Sequence, residues 1–352
     1  MELVHGGDWA GSEQEYGGLP LDFSANISPL GVPEGVRLAI AEAAVEADRY
    51  PDPLCRSVSA AIAAAEGCSA GFVLCGNGAA DLLFRLALAK RPRRALIPAP
   101  AFAEYAAALG TVDCAVERYN LREESGFLVD EGFPTAIRSG IDVVFLCEPN
   151  NPTGRTTPPE LVRRILARCG EVGALLVVDE CFGDFLDDPE AHTLRGQLAG
   201  HPNLLILKAF TKLYAMAGVR LGYCLSSDGA LLDAMRRAGQ PWAVSTLAQA
   251  AGIAALRETD YVARVRALIQ QERPFLMAGL RTLGLRVIPG EANYLLFRSE
   301  HPLVEPMRRR GILLRSCGNY PGLDEHWYRT AVRTRAENER LLRALGEVLH
   351  DG

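Results

Sequence analysis

The stretch Leu207–Tyr223 reads LKAFTKLYAMAGVRLGY and continues from a short apolar run, Leu204–Leu207. It carries two of the chain's three lysines, Lys208 and Lys212; the third is Lys90, and the other 34 of the 37 basic side chains are arginines. Chemistry that needs a primary amine therefore has three places to occur. An isolated lysine on a turn is ordinarily solvated. Lysines set against a buried strand differ, because a partly desolvated ammonium loses its proton more easily and the free amine condenses with a carbonyl. Arg220 follows Lys212 by eight residues and lies between Gly218 and Gly222.

Outward from this stretch, short apolar runs alternate with helical periodicities. Gly71–Cys75, Ala95–Pro98, Asp142–Cys147, Ala174–Val178 and Leu204–Leu207 read as strands, several apolar throughout, as strands buried on both faces are. Ala79–Lys90 reads as a helix, and a second helix opens on Pro159 and runs to Cys169. The alternation predicts an α/β fold, a mostly parallel central sheet flanked by helices. After residue 238 the texture changes. A long helical pattern covers Asp260–Leu283, with a kink or break expected at Pro274. Leu285–Ile288, Tyr294–Phe297 and Ile312–Arg315 read as strands, and Pro302–Arg310 and Ala336–Leu349 as helices. The expected organisation is a Gly/Pro-rich arm over residues 1–35 that joins the small domain, a large domain over 36–238, and a small α+β domain over 239–352.

Composition removes several function classes. The 352 residues are 49% hydrophobic and 23% charged, enough apolar content for a large core. No apolar stretch approaches the roughly 18 residues of a membrane span. The net charge of −6 argues against nucleic acid as a partner. Nine cysteines are scattered without C-x-x-C spacing, and no zinc cluster or other metal site is visible. With no apolar signal segment at the N-terminus, a reducing cytoplasm is expected.

Four further stretches, and Asp179, carry chemistry-bearing residues. Gly76-Asn77-Gly78-Ala79-Ala80-Asp81 joins a strand to a helix, where backbone N–H groups and the helix N-terminus favour an anion; a plain turn is an equal reading of the hexapeptide alone. It lacks the G-K-[ST] ending of a P-loop. Glu148-Pro149-Asn150-Asn151-Pro152-Thr153-Gly154 contains turn signals after a strand. Asp179 closes a strand at the end where open α/β sheets bind ligands, although an acid there also caps. Pro100-Ala101-Phe102-Ala103-Glu104-Tyr105 and Arg49-Tyr50-Pro51 supply aromatic rings.

The pattern T-K-x-x-A-x-A-G-x-R-x-G-Y, from Thr211 to Tyr223, resembles the Schiff-base signature of fold-type-I pyridoxal 5'-phosphate (PLP) enzymes in the aminotransferase class I/II superfamily. The resemblance implies PLP as cofactor, held as a Schiff base by Lys212. It implies that Thr211, Arg220 and the Gly76, Asn77, Gly78, Ala79 turn hold the phosphate, and that Asn151 bonds the ring hydroxyl oxygen. Asp179 would pair with the ring nitrogen and keep it protonated, so that Lys212 and Asp179 are the catalytic pair and the ring is an electron sink. Phe102 would stack on the ring. Tyr50 would reach the phosphate of a neighbouring subunit, which requires a homodimer. Two departures stand out: Ala209 occupies a position where many relatives carry serine or threonine, and Phe182 one where aminotransferases often carry tyrosine.

His5-Gly6-Gly7-Asp8, Asp22-Phe23-Ser24-Ala25-Asn26-Ile27-Ser28-Pro29-Leu30-Gly31, Gln240-Pro241-Trp242-Ala243-Val244-Ser245 and Tyr328-Arg329-Thr330-Ala331-Val332-Arg333-Thr334 together resemble the L-threonine-O-3-phosphate decarboxylase branch of that superfamily. Its nearest large relative is the histidinol-phosphate aminotransferase branch. The resemblance implies a carboxy-lyase making (R)-1-amino-2-propanol O-2-phosphate in cobalamin biosynthesis, with His5, Gly6, Asn26, Asn151, Arg315 and Arg329 touching substrate. Arginine suits such a substrate, being a permanently charged fork for carboxylate and phosphate. L-Serine O-phosphate differs by one methyl group and is the competing substrate. Histidinol-phosphate transamination is the alternative reaction, and a non-catalytic PLP-sensing module the non-enzyme reading.

Overall fold

The computed structural model describes residues 6–350. The arm is more ordered than its Gly/Pro content suggests: it contains a helix, Trp9–Tyr16, and strand β1 (Leu21–Asp22). The apolar runs that follow assemble into one seven-stranded sheet. Its strands are β2 (Val73–Gly76), β3 (Arg94–Ala99), β4 (Ala115–Asn120), β5 (Val143–Cys147), β6 (Leu175–Asp179), β7 (Leu204–Ala209) and β8 (Gly222–Leu225), in the spatial order β2-β8-β7-β6-β5-β3-β4. Neighbours from β7 to β4 pair in parallel; β8 alone runs against both its partners.

Alternation along a strand explains why these runs are apolar throughout. In β6, Leu175 and Val177 enter one core while Leu176 and Val178 enter the core on the opposite face. Each face is covered by helices, so neither can be polar. The first strand is shorter than its sequence suggested. Ser69 accepts from the Gly71 backbone N–H and closes a turn over Ala70–Phe72, which delays β2 to Val73.

A second core lies under the C-terminal elements. Strands β9 (Arg286–Val287), β10 (Tyr294–Arg298), β12 (Arg315–Ser316) and β13 (Trp327–Ala331) form an antiparallel sheet in the order β12-β13-β10-β9, while β11 (Ile312–Leu313) pairs in parallel with β1. The run Ile312–Arg315, expected as one strand, thus serves two sheets. The helix Thr259–Thr282 continues through Pro274 rather than breaking there. Ile269, Leu276 and Leu280 are all fully buried along one stripe of it, and this packing outweighs the cost of about 3 kcal/mol for an interior proline. The helix Thr246–Ala255 packs with the large sheet, so residues 239–255 side with the large unit, and Ile288, Leu296, Cys317, Tyr320 and Trp327 of the C-terminal elements also enter its core. Phe23, from the arm, joins the second core.

Asp22 organises the arm. Its Oδ1 accepts from the Ser24 N–H (2.7 Å), the Ser24 hydroxyl (2.6 Å) and the Ala25 N–H (3.2 Å), and its Oδ2 accepts from the Trp9 indole (2.6 Å). The Ser24 hydroxyl then accepts from the Gly7 N–H at 2.8 Å. A hydrogen bond to a charged acceptor contributes about 1.5–3 kcal/mol. Asp22→Ala should speed amide exchange at Ser24 and Ala25 by about tenfold or more without affecting β6. Unchanged exchange at both amides would show that other contacts hold the arm.

Candidate active site

Strands β2, β3, β5, β6 and β7 all point one way, so their C-terminal ends line one edge of the sheet. The chain reverses its progress across the sheet between β3 and β5, the place where open α/β sheets leave a crevice. Phe102 follows β3, Asn151 follows β5, Asp179 closes β6, and Thr211 and Lys212 follow β7. With Ala79, Arg220, the arm residues Gly6, Ser24 and Asn26, and Arg315 and Arg329 from β12 and β13, they enclose a cavity of about 460 Å3. That volume lies within the range of small-molecule sites.

Lys212 sits in the cavity wall on the one-turn helix Phe210–Leu213, its Nζ 5.7 Å from the centre of the Phe182 ring. Burial, reinforced by the charges of Arg329 and Arg220, lowers its pKa from 10.5 to about 8, with Asp179 partly opposing them. About a tenth of the amine is therefore unprotonated at pH 7, against less than about a thousandth for a solvated lysine. Lys208 is the opposite case. It is buried beneath the site beside a separate, smaller cavity, 3.0 Å from Glu66 and 3.3 Å from Asp184. Burial alone would lower its pKa, but Asp184, Glu66 and Glu180 together raise it, so Lys208 stays an ammonium. Two lysines four residues apart are thus assigned different chemistry by their neighbours.

The other end of the cavity is built for an anion. Gly78 opens the helix Gly78–Lys90 at φ 81°, and a Cβ there would come within 2.7 Å of the Arg220 guanidinium. Gly222, at the start of β8, lies on the same turn: a Cβ would meet Ala79 N at 2.5 Å. Both glycines are needed because the backbone of β8, the helix N-terminus and Arg220 crowd together there. The Asn77 N–H is occupied by Asp81 Oδ2 at 2.8 Å, and Gly76 is buried at the end of β2. Thr211 and Ala79 reach the cavity itself.

Asp179 is buried, and both its oxygens are held: Tyr105 donates to Oδ2 at 2.6 Å and the Cys181 N–H to Oδ1 at 3.0 Å. Phe102 lines the same cavity, edge-on to Tyr105 at 5.6 Å. The buried Asn151 Oδ1 accepts from Arg329 Nη1 at 2.5 Å, and Arg329 Nη2 donates to the Ser24 carbonyl at 2.8 Å. Arg315 and Arg329 are register partners on β12 and β13, both buried, which sets two guanidinium groups on one face. Asn26 is 2% exposed, yet neither polar atom of its amide has a hydrogen-bond partner among the described residues.

Five sequence candidates stand apart. Gly76, Asn77 and Gly78 do not line the cavity, which their turn reaches through Ala79 and Ala80. His5 lies outside the described residues. Tyr50 is 80% exposed and stacked on Trp242 at 4.6 Å, outside the cavity of its own chain. Conversely, Tyr105 and Ser24 contribute contacts that motif reading passed over. Tyr105 lies three residues after Phe102, and only its pairing with Asp179, 74 residues away, reveals its contact with the site.

The donor set fits PLP. A depressed amine suits an aldehyde, an arginine with a helix N-terminus and a threonine suits a phosphate, and a buried carboxylate suits a pyridinium nitrogen. The chain belongs to the aminotransferase class I and II family, whose family model matches residues 20–345, and it is a PLP-dependent enzyme of fold type I. It is 40% identical to the threonine-phosphate decarboxylase of Salmonella typhimurium, over 98% of this chain and 96% of that one. It is 35% identical to the histidinol-phosphate aminotransferase of Symbiobacterium thermophilum, covering 94% and 91%. It superposes with a TM-score of 0.88 on the histidinol-phosphate aminotransferase of Sinorhizobium meliloti in complex with PLP, at 25% identity, over 100% of this chain and 96% of that one.

Lys212→Ala should abolish the visible absorption of bound cofactor together with activity. Lys208→Met should keep that absorption but lower stability by about 3–5 kcal/mol, because Glu66 and Asp184 lose their buried partner; denaturant titration reads the loss. Absorption that disappears in the Lys208 variant and persists in the Lys212 variant would reverse the assignment. PLP uptake by the apo-protein should accelerate as pH rises through about 8 and then level off. Continued acceleration toward the ordinary lysine pKa of about 10.4 would show a solvated amine.

Proposed function

We propose that this chain decarboxylates L-threonine O-3-phosphate to (R)-1-amino-2-propanol O-2-phosphate and CO2, a step of cobalamin nucleotide-loop biosynthesis. One observation carries the reading on the structural side. Arg329 is 6% exposed, no carboxylate among the described residues lies in ion-pair range of it, and its Nε has no hydrogen-bond partner. A buried cation in that state is costly unless an anion joins it. With Arg315 beside it and the unbonded Asn26 amide in the same cavity, the site suits a substrate that carries both phosphate and carboxylate. Likeness to threonine-phosphate decarboxylase supports the same reading.

When bound, PLP supplies a conjugated ring that takes up the electrons of the bond broken at Cα. Thr211, Arg220 and the turn that reaches the cavity at Ala79 and Ala80 would bind its phosphate, Asn151 and Phe102 would orient its ring, and Asp179 would hold a proton at the ring nitrogen. Arg315, Arg329 and Asn26, with His5 and Gly6 from the arm, bind the substrate anions. By gripping the phosphate they would orient the substrate so that the bond to its carboxylate, rather than its Cα–H bond, is the one presented for cleavage. After CO2 leaves, Lys212 Nζ, held unprotonated or protonated with comparable ease near its pKa of about 8, delivers a proton to Cα.

The active form is a homodimer. The exposure of Tyr50, stacked on Trp242, and of nearby Leu54 supports a second copy covering this face, with Tyr50 reaching the partner's cavity. Free thiols at all nine cysteines suit the cytoplasm. Nothing in the site opposes L-serine O-phosphate, since one methyl group is worth only about 1–3 kcal/mol of discrimination.

Incubation with O-phosphothreonine, O-phosphoserine, or histidinol phosphate plus 2-oxoglutarate, followed by mass spectrometry, tests this. CO2 and the amine phosphate from the first are expected; glutamate from the last, with no CO2 from the others, would make the enzyme an aminotransferase. Arg329→Ala should raise KM for the phospho-amino acid about 10–150-fold, the value of a charge-assisted contact, with little change in PLP affinity. Equal loss of both would make Arg329 structural.

A further inference from the structure

We propose that Tyr105 is a positioning residue for Asp179: its hydroxyl fixes the carboxylate in the orientation that holds a proton at the cofactor's ring nitrogen. The inference rests on Asp179 being the partner of that nitrogen.

Tyr105 lies on the helix Glu104–Gly110, directly after the loop that carries Phe102. It is fully buried, and its ring is stacked on Phe145 of β5 with centroids 4.8 Å apart and planes at 17°. Phe102 meets it edge-on. These contacts leave the phenol little freedom, and they aim its hydroxyl at Asp179 Oδ2 at 2.6 Å. The Cys181 N–H occupies Oδ1. Each carboxylate oxygen therefore has one fixed protein donor and keeps lone pairs for a further donor in the cavity.

A hydrogen bond donated to a carboxylate favours its charged form, the form that pairs with a protonated ring nitrogen. Burial and the adjacent Asp179 charge hold the Tyr105 pKa well above the ordinary phenol value, so its hydroxyl remains a donor throughout the working pH range. The Cys147 thiol nearby is likewise held neutral by burial, then by Asp179, and does not compete as an anion.

Holoenzyme loaded with PLP labelled with 15N in the ring tests the inference by NMR. Wild type should show a protonated pyridine nitrogen. Tyr105→Phe, which keeps the stacked ring and removes only the hydroxyl, should move the signal part of the way toward neutral pyridine. Its kcat should fall about 10–100-fold, with KM within about twofold. Asp179→Asn should move the signal the whole way. A wild-type signal in Tyr105→Phe beside a shifted one in Asp179→Asn overturns the role of Tyr105 and leaves that of Asp179 intact. A wild-type signal in Asp179→Asn overturns the Asp179 pairing and the inference with it.

Discussion

The desolvation of one amine is the constraint on which the site depends. An ammonium buried without a partner is expensive, so the Lys212 side chain sheds its proton more readily than a surface lysine. Arg329 and Arg220 act in the same direction, since neither tolerates a second positive charge nearby. The two arginines are also the groups that suit anionic ends of ligands. One arrangement of positive charge thus both lowers the pKa of the amine and lines the cavity with groups that suit anions, and the fold has to bring these groups together from β7, β13 and the loop before β8.

The sheet does this by direction. Parallel strands deliver every loop that follows them to one edge, so residues spread over more than a hundred positions converge without long-range design of individual loops. Beneath the edge, Lys208 is locked by Glu66 and Asp184, with Arg195 and Tyr223 also bonded to Glu66. That network ties β7 and β8 to the helix Arg56–Glu66 and fixes the strand from which the Lys212 turn springs. Above it, Asp22 fixes the arm that brings Ser24 and Asn26 over the cavity.

Much of this was legible in the amino-acid sequence, and for a physical reason. β5 and the Leu175–Val178 and Leu204–Leu207 runs of β6 and β7 are apolar throughout because both faces are covered, and such a run between turn signals has few other uses. The residues after those strands were legible because the Thr211–Tyr223 pattern is long. Two-residue strands such as β1 and β11 carry no period and could not be seen. β8 was hidden inside the motif that precedes it. Pro274 misled, because its local cost is smaller than the burial of Ile269, Leu276 and Leu280 around it. The partnership of Tyr105 with Asp179, the register of Arg315 with Arg329 and the unbonded amide of Asn26 are properties of packing across the chain, and no local signal records them. Gly222 illustrates the difference: the motif contains it, but only the approach of Ala79 N explains why no side chain fits.

The most direct test of the account is chemical capture of the amine. The protein loaded with PLP is reduced with borohydride, digested, and mapped by mass spectrometry. The account predicts a pyridoxyl group on Lys212. A pyridoxyl group on Lys208 or Lys90, or none on any lysine after loading, would contradict it.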